Sequence, residues 1–349
     1  MNVTPTAHDQ PQEKLPDQGA GSLGEREPGR AAGPTRMARI FGQYTIQWML
    51  LAAVVILSIA SFNFRQPANF ENILRQASFN GIGAAGMTLV IVAGAFDLSV
   101  AGLLGLCGVV LAMLAPSIGA PAAVVVTLLL GLLLGVFNGL VVTKVRIPAF
   151  IATLGLMYIY LAAALILTGG QVIPMMNRAF RFYGSGDISY LPIPFLIMIV
   201  VYLACWAVMR FTKYGRYLRA VGSNETAGLV AGLPVDRVRI FAFTIVGLCT
   251  AIAGVLLTAL LSSANAIMAT GYELNVISIV VVGGTSLRGG QGTLLGSFTG
   301  ALFFAVIANA LNMFGVGAYW QYVAVGLILI IALALDAVRR NYMGVARAQ

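Results

Sequence analysis

Long apolar segments recur along almost the whole chain, and short polar stretches separate them. A helix of roughly 20 residues crosses about 30 Å of hydrocarbon at about 1.5 Å per residue. The apolar runs are continuous rather than alternating, which favours helices over the strands of a membrane barrel. The pattern therefore predicts an all-α fold: a polytopic integral membrane protein with about ten transmembrane helices.

The predicted spans are separated by short loops. They cover residues 43–62, 74–95, 99–115, 121–142, 149–168, 193–211, 239–261, 274–287, 292–314 and 318–336. The eighth span is short and ends in glycines, so a re-entrant segment is the alternative there. Two domains are expected, a disordered cytoplasmic tail over 1–36 and a transmembrane domain over 37–349, with Met37 as an alternative translation start.

Composition agrees with a lipid environment, because 59% of residues are hydrophobic, 9% are charged and the mean hydropathy is +0.90. The 40 glycines suit close packing of membrane helices and local breaks in them. The net charge of +9 comes from basic residues that flank the apolar segments instead of forming a stripe, so no nucleic-acid partner is expected. With the N-terminus inside, 14 Lys and Arg residues fall on the cytoplasmic side and 4 outside, which predicts an even helix count and cytoplasmic termini.

The sequence offers few residues that could catalyse a reaction or bind a metal ion. The only histidine, His8, lies in the polar tail, and the cysteines are far apart in apolar runs, so neither a metal site nor a His-based catalytic site is predicted. The chain also has no GxxxxGK[ST] motif, so it binds no cofactor of its own and any ATP chemistry belongs to a partner. The cysteines are Cys107, Cys205 and Cys249.

The longest polar stretch after the tail is the loop 212–238, which the charge count places in the cytoplasm. Ser223 and Asn224 are good N-cap residues, and Glu225 favours the start of a helix. Gly232, followed by a leucine and a proline, predicts its end after about seven residues.

The apolar residues of this short helix are predicted to form one face. Leu229, Val230 and Leu233 are too few to make a core, so the face suits docking into a groove on a partner. An ordinary positively charged cytoplasmic loop is the alternative.

Polar residues within or beside the spans are candidates for a translocation path or gate. Asp97 or Ser99 either caps the third span or lines the path. Glu273 either closes a capping box with Thr270 or lies at the outer entrance. Helix-to-helix hydrogen bonding is the alternative for the asparagines. The remaining candidates are Asn80, Asn138, Thr285, Asn309 and Asn312.

Three segments resemble one family of transport proteins. They are GMTLVIVAGAFDLSVAGLLGL at 86–106, YGRYLRAVGSNETAGLVAGLPVDRVRIFAF at 214–243 and YELNVISIVVVGGTSLRGGQGTLLGSFTGALFF at 272–304. All three are similar to permeases of sugar-type ATP-binding-cassette importers, the ribose, xylose and arabinose group, to which branched-chain amino-acid permeases are related. The family usually has two glycines and an isoleucine where this chain has Gly94, Ala95 and Phe96.

The resemblance implies a permease subunit that carries a ribose-like sugar or polyol across the bacterial inner membrane. It implies a separate ATPase subunit that binds ATP and Mg, a periplasmic sugar-binding protein and a second permease chain, identical or related, within the membrane lipids. The loop 212–238 would transmit the closure of the ATPases. A branched-chain amino-acid permease and an ion-coupled secondary transporter are the alternatives. A membrane enzyme is disfavoured because the loop acids Glu225 and Asp236 are spaced for neither metal binding nor acid/base catalysis.

Overall fold

The computed structural model describes residues 44–175, 178–317, 319–328, 330–331 and 334. The predicted tail, 1–36, and part of the tenth predicted span lie outside these residues. Twelve α-helices within the described part are named here in chain order. They are α1 (Thr45–Ala60), α2 (Pro67–Val92), α3 (Val100–Ile118), α4 (Ala120–Lys144), α5 (Ala149–Thr168), α6 (Arg178–Ser185), α7 (Ile193–Phe211), α8 (Lys213–Ser223), α9 (Glu225–Val230), α10 (Val235–Leu261), α11 (Tyr272–Val282) and α12 (Leu294–Met313).

The chain is mostly helical, as predicted, but its described part also contains two small antiparallel sheets. In the first, β1 (Ile173–Pro174) pairs with β4 (Ser263–Ala264). In the second, β2 (Asp187–Ile188) pairs with β3 (Leu191–Pro192). A 3₁₀ turn follows α1, and residues 319–328 are helical.

Six helices of the described part are long and apolar enough to cross a membrane, namely α3, α4, α5, α7, α10 and α12. Large apolar side chains point outward from several helices, with Ile59 and Ile166 each 81% exposed and Val200 64% exposed. Such surfaces are unfavourable in water and suit lipid. The protein is therefore a multi-pass membrane protein, and the count of ten spans stays a prediction.

Helix α10 lies at the centre and packs against α2, α3 and α4. Glycines permit the closest of these approaches, because a Cβ on Gly135 would lie 3.0 Å from Cα of Thr244, and one on Gly247 would lie 2.8 Å from Cα of Gly135. Small residues at helix contacts allow backbones to meet in lipid, where helix packing supplies much of the stability. The predicted packing role of glycine is confirmed between α4 and α10.

The loops gather at two ends of the helix bundle. At one end Lys144 forms a 2.7 Å ion pair with Asp236, which joins the end of α4 to the start of α10. At the other end Arg75 forms a 2.7 Å ion pair with Asp187, which joins α2 to the small β2–β3 sheet. The predicted cytoplasmic loop 212–238 lies at the first end.

Three predicted elements have different bounds in the structure. Helix α2 begins at Pro67, seven residues before the predicted span, and proline suits the first turn of a helix. Helix α8 occupies Lys213–Ser223, where no helix was expected. Helix α11 has 11 residues, about 16 Å at the usual rise, which is about half the hydrocarbon thickness. The predicted eighth span therefore continues as irregular backbone after Gly283.

Candidate coupling site

The short helix predicted in the polar loop is present as α9, with six residues. The Asn224 side chain caps it, since its Oδ1 accepts a 2.9 Å hydrogen bond from the backbone N–H of Ala227. At the other end Gly232 has φ +74°, and Leu233 N–H donates to the carbonyl of Gly228 at 2.9 Å. This left-handed glycine ends the helix as predicted.

Two details of the predicted loop are wrong. Ser223 is the last residue of α8, and its hydroxyl donates to the carbonyl of Arg219 at 2.7 Å instead of capping α9. Leu233 is partly buried and packs against the main hydrophobic core. The exposed apolar face of α9 therefore consists of Leu229, 57% exposed, and Val230, 86% exposed.

An ion pair joins α9 to the central helix α10. The Arg239 guanidinium donates two 2.7 Å hydrogen bonds to the two carboxylate oxygens of Glu225. This bidentate geometry fixes the relative orientation of the two side chains. The ion pair therefore connects α9 to the first part of α10.

A cavity of about 1120 Å³ lies beside α9. Its walls include Leu229 on α9, the α4–α5 loop, and Gly94 and Ala95 in the break between α2 and α3. The charged side chains in its lining are mostly basic. They are Lys144, Arg146, Arg237 and Arg239, with Glu225 and Asp236 as the acids.

The two glycine-rich breaks of the membrane domain meet at the end of α8. The carbonyl of Val92, the last residue of α2, accepts a 2.9 Å hydrogen bond from the N–H of Gly290. Gly222 lies against both groups, because a Cβ there would be 2.6 Å from the Gly290 nitrogen and closer still to the Val92 oxygen. Gly94 and Gly289 complete this contact, which we call the glycine junction.

Glycine is required at the junction for two separate reasons. Gly94, Gly289 and Gly290 have φ values of +78°, +84° and +75°, a region that side chains disfavour. Gly222 has no room for a side chain. The segment before α9 is thus in backbone contact with both interrupted parts of the membrane domain.

The predicted site residues Asp97, Ser99 and Asn138 form one buried polar cluster. Asp97 Oδ1 accepts hydrogen bonds from the backbone N–H of Ser99 at 2.9 Å and from its hydroxyl at 2.5 Å. The Asn138 amide donates to Ser99 Oγ at 2.7 Å and to Asp97 Oδ2 at 3.3 Å. Tyr160 completes the cluster by donating to Asn138 Oδ1 at 2.6 Å.

This cluster ties the break before α3 to α4 and α5. Asp97 accepts from the N–H of Ser99, the N-cap residue of α3, but no side-chain hydrogen bond caps this helix, so the predicted cap is wrong. The buried Asp97 carboxylate has polar partners on both oxygens. A buried charge needs such partners to be tolerated. Tyr160 was missed by sequence reasoning because a tyrosine within an apolar run carries no separate signal.

The predicted capping box at Thr270 and Glu273 is wrong. Gly271, with φ +81°, is the N-cap of α11, and the Thr270 hydroxyl donates back to the carbonyl of Ile267 at 2.8 Å. Glu273 Oε2 is buried without a hydrogen-bond partner among the described residues. A cap therefore does not explain this carboxylate, and a role at the outer entrance stays a prediction.

The other candidate residues are dispersed. Asn309 donates to Asn69 at 2.8 Å, and Asn312 accepts from Gln321 at 2.6 Å, as the helix-bonding alternative expected. Thr285 lies in the glycine-rich loop after α11, and its side chain is buried, 3% exposed. Asn80 instead lines a separate cavity between α2, α11 and α12.

Comparison with known proteins places these features in a family. The family described as "Branched-chain amino acid transport system / permease component" matches residues 69–333. The chain belongs to this permease family. No solved structure matches the permease at a significant level.

Several curated relatives cover most of the permease. It is 39% identical to the ribose import permease protein RbsC of Escherichia coli K12, over 82% of this chain and 91% of the relative. It is 37% identical to the RbsC protein of Bacillus subtilis 168, over 82% of this chain and 90% of the relative. It is 34% identical to the L-arabinose transport system permease protein AraH of E. coli K12, over 87% and 93%.

Proposed function

We propose that this chain is the permease subunit of an ATP-binding-cassette importer that carries a monosaccharide across the bacterial inner membrane. The observation that carries the proposal is α9, a capped helix with exposed Leu229 and Val230. It follows directly on α8, whose residue Gly222 contacts both broken membrane segments. The names of the ribose and arabinose permeases support a sugar as cargo.

The proposed partners follow from this arrangement. A separate ATPase subunit binds ATP and Mg and receives the apolar tip of α9, because a two-residue apolar face suits a groove on a partner. A periplasmic sugar-binding protein delivers the cargo at the opposite end of the bundle, and a second permease chain, identical or related, forms the other half of the path.

In the proposed mechanism, closure of the ATPases displaces α9. The Glu225–Arg239 pair carries this displacement to α10, and Gly222 carries it to the ends of α2 and of the glycine-rich loop. Backbone contacts without intervening side chains allow little movement of these segments relative to one another. The path then opens outward for the sugar, and this chain catalyses no reaction in the process.

The alternatives have less support. A branched-chain amino-acid permease agrees with the family description, but the ribose and arabinose relatives cover most of the chain. Ion coupling would need a titratable group that exchanges ions, and the carboxylate nearest to membrane depth, Asp97, is enclosed by Ser99 and Asn138. Glu273 is the other acid that an ion-coupled mechanism would have to use.

The coupling role of α9 is tested by Leu229→Pro, with Leu229→Met as the matched control. Proline in the helix interior costs about 3 kcal/mol, a large penalty for a helix of only six residues. Methionine keeps the apolar contact. We expect Leu229→Pro to reach the membrane at the level of the control but to lose both co-purification of the ATPase subunit and sugar uptake. Normal uptake by Leu229→Pro would overturn the assignment.

A further inference from the structure

A second cavity, of about 230 Å³, lies within the membrane domain between α2, α11, α12 and the helical residues 319–328. Four amide side chains reach it from three of these segments. They are Gln76, Asn80, Asn275 and Gln321. Asn80 lies 13 residues after the start of α2, about 20 Å along the helix axis, and therefore near the middle of that helix.

Three of these amides have unused hydrogen-bonding capacity. Gln321 donates to Asn312, but no side-chain hydrogen bond joins Gln76, Asn80 or Asn275 to another of the described residues. An amide within a membrane-spanning segment is costly unless it bonds protein, water or a solute. Three such amides facing one space indicate that the space holds a polar, hydrogen-bonding occupant.

The other residues that line the cavity indicate which kind of molecule occupies it. Among the described residues no charged side chain lines the cavity, and its other walls are aliphatic or aromatic, with Phe304 and Tyr322 as the aromatic members. Uncharged donors and acceptors beside apolar walls match a sugar, which has hydroxyls and apolar ring faces. A zwitterionic amino acid would instead call for a charged group or a helix end at each of its own charges.

The size of the cavity agrees with a single sugar ring. A water molecule takes about 30 Å³ in the liquid, so a volume of about 230 Å³ accommodates a molecule the size of several waters. We infer that this amide-lined cavity is a monosaccharide-binding subsite within the path, formed by Gln76, Asn80 and Asn275. The inference rests on the proposed function and adds the residues that contact the cargo.

The experiment measures cysteine accessibility in the complete importer reconstituted in lipid. Asn80→Cys is labelled with a membrane-impermeant methanethiosulfonate reagent, alone and with ribose, xylose, arabinose or leucine at millimolar concentration. The three native cysteines are buried and give little background. Gln171→Cys, in an exposed loop, is the positive control, and Ile159→Cys, 60% exposed on an apolar helix, is the lipid-facing control.

We expect Asn80→Cys to be labelled, and one of the sugars but not leucine to slow the labelling several-fold. Labelling that no sugar slows, labelling that leucine slows instead, or no labelling while Gln171→Cys reacts would each overturn the inference. If Asn80→Cys fails to insert, Gln76→Cys provides the same measurement from one helical turn away. ATP-driven uptake by the unaltered importer is recorded in parallel, so failure of the subsite and failure of the proposed function are distinguishable.

Discussion

A methyl group at Gly222 tests whether the glycine junction connects α9 to the membrane domain. In Gly222→Ala the new Cβ would lie 2.6 Å from the nitrogen of Gly290 and closer still to the oxygen of Val92. Both are backbone atoms, so one of the three segments must move. The displacement breaks the 2.9 Å hydrogen bond between them, which costs about 1 kcal/mol net, and overpacking adds about 1–3 kcal/mol.

The two costs together, about 2–4 kcal/mol, correspond to a change of roughly 30-fold to 700-fold in the equilibrium constant of the conformational change that the junction transmits. Sugar uptake is measured at matched membrane levels against Gly155→Ala, an exposed position of helix α5 where a Cβ meets no atom within 4 Å. We expect uptake to fall at least about tenfold in Gly222→Ala, while α9 keeps its exposed residues and the ATPase still co-purifies. Equal uptake by the two variants would show that the glycine junction does not connect α9 to the membrane domain.

Three further predictions concern single side chains. Asn224→Ala removes the cap of α9, so ATPase association should weaken by about 1 kcal/mol, with Asn224→Asp restoring it; equal affinity of all three forms would count against the cap. Asn138→Ala leaves the Tyr160 hydroxyl unpaired, so the thermal midpoint should reflect a loss of about 1–3 kcal/mol, unlike exposed Asn312→Ala; matching midpoints would exclude a structural role for the cluster. Glu225→Gln breaks an exposed ion pair, so the free energy of unfolding should fall by less than about 1 kcal/mol, with a smaller effect at high salt. A large, salt-independent loss of stability would contradict this.

Much of the membrane domain is predictable from the sequence, because continuous apolar runs leave little choice but a helix. The fifth span, 149–168, coincides with α5 at both ends. The start of α2 was missed because the helix opens with polar residues such as Asn69 and Glu71, which lower the local hydropathy. Helix α8 was missed because alternating basic and apolar residues in a loop resemble positive-inside flanking sequence.

The candidate site was predictable only in part. The cap at Asn224 and the stop at Gly232 are local signals, so the sequence reveals them directly. The contact of Gly222 with Val92 and Gly290 joins segments more than 60 residues apart in the chain, and nothing in local patterning encodes such a meeting. The capping box failed because Gly271 adopts a left-handed conformation that places Thr270 outside the first turn.

We propose that a partner ATPase energises this permease through α9. The most direct measurement is sugar uptake into proteoliposomes that contain the chain with its ATPase subunit and binding protein. We expect uptake that requires ATP and the ATPase subunit, persists with a protonophore and disappears in Leu229→Pro. Uptake that persists without the ATPase subunit and collapses with the protonophore would show that an ion gradient, not the ATPase, drives transport.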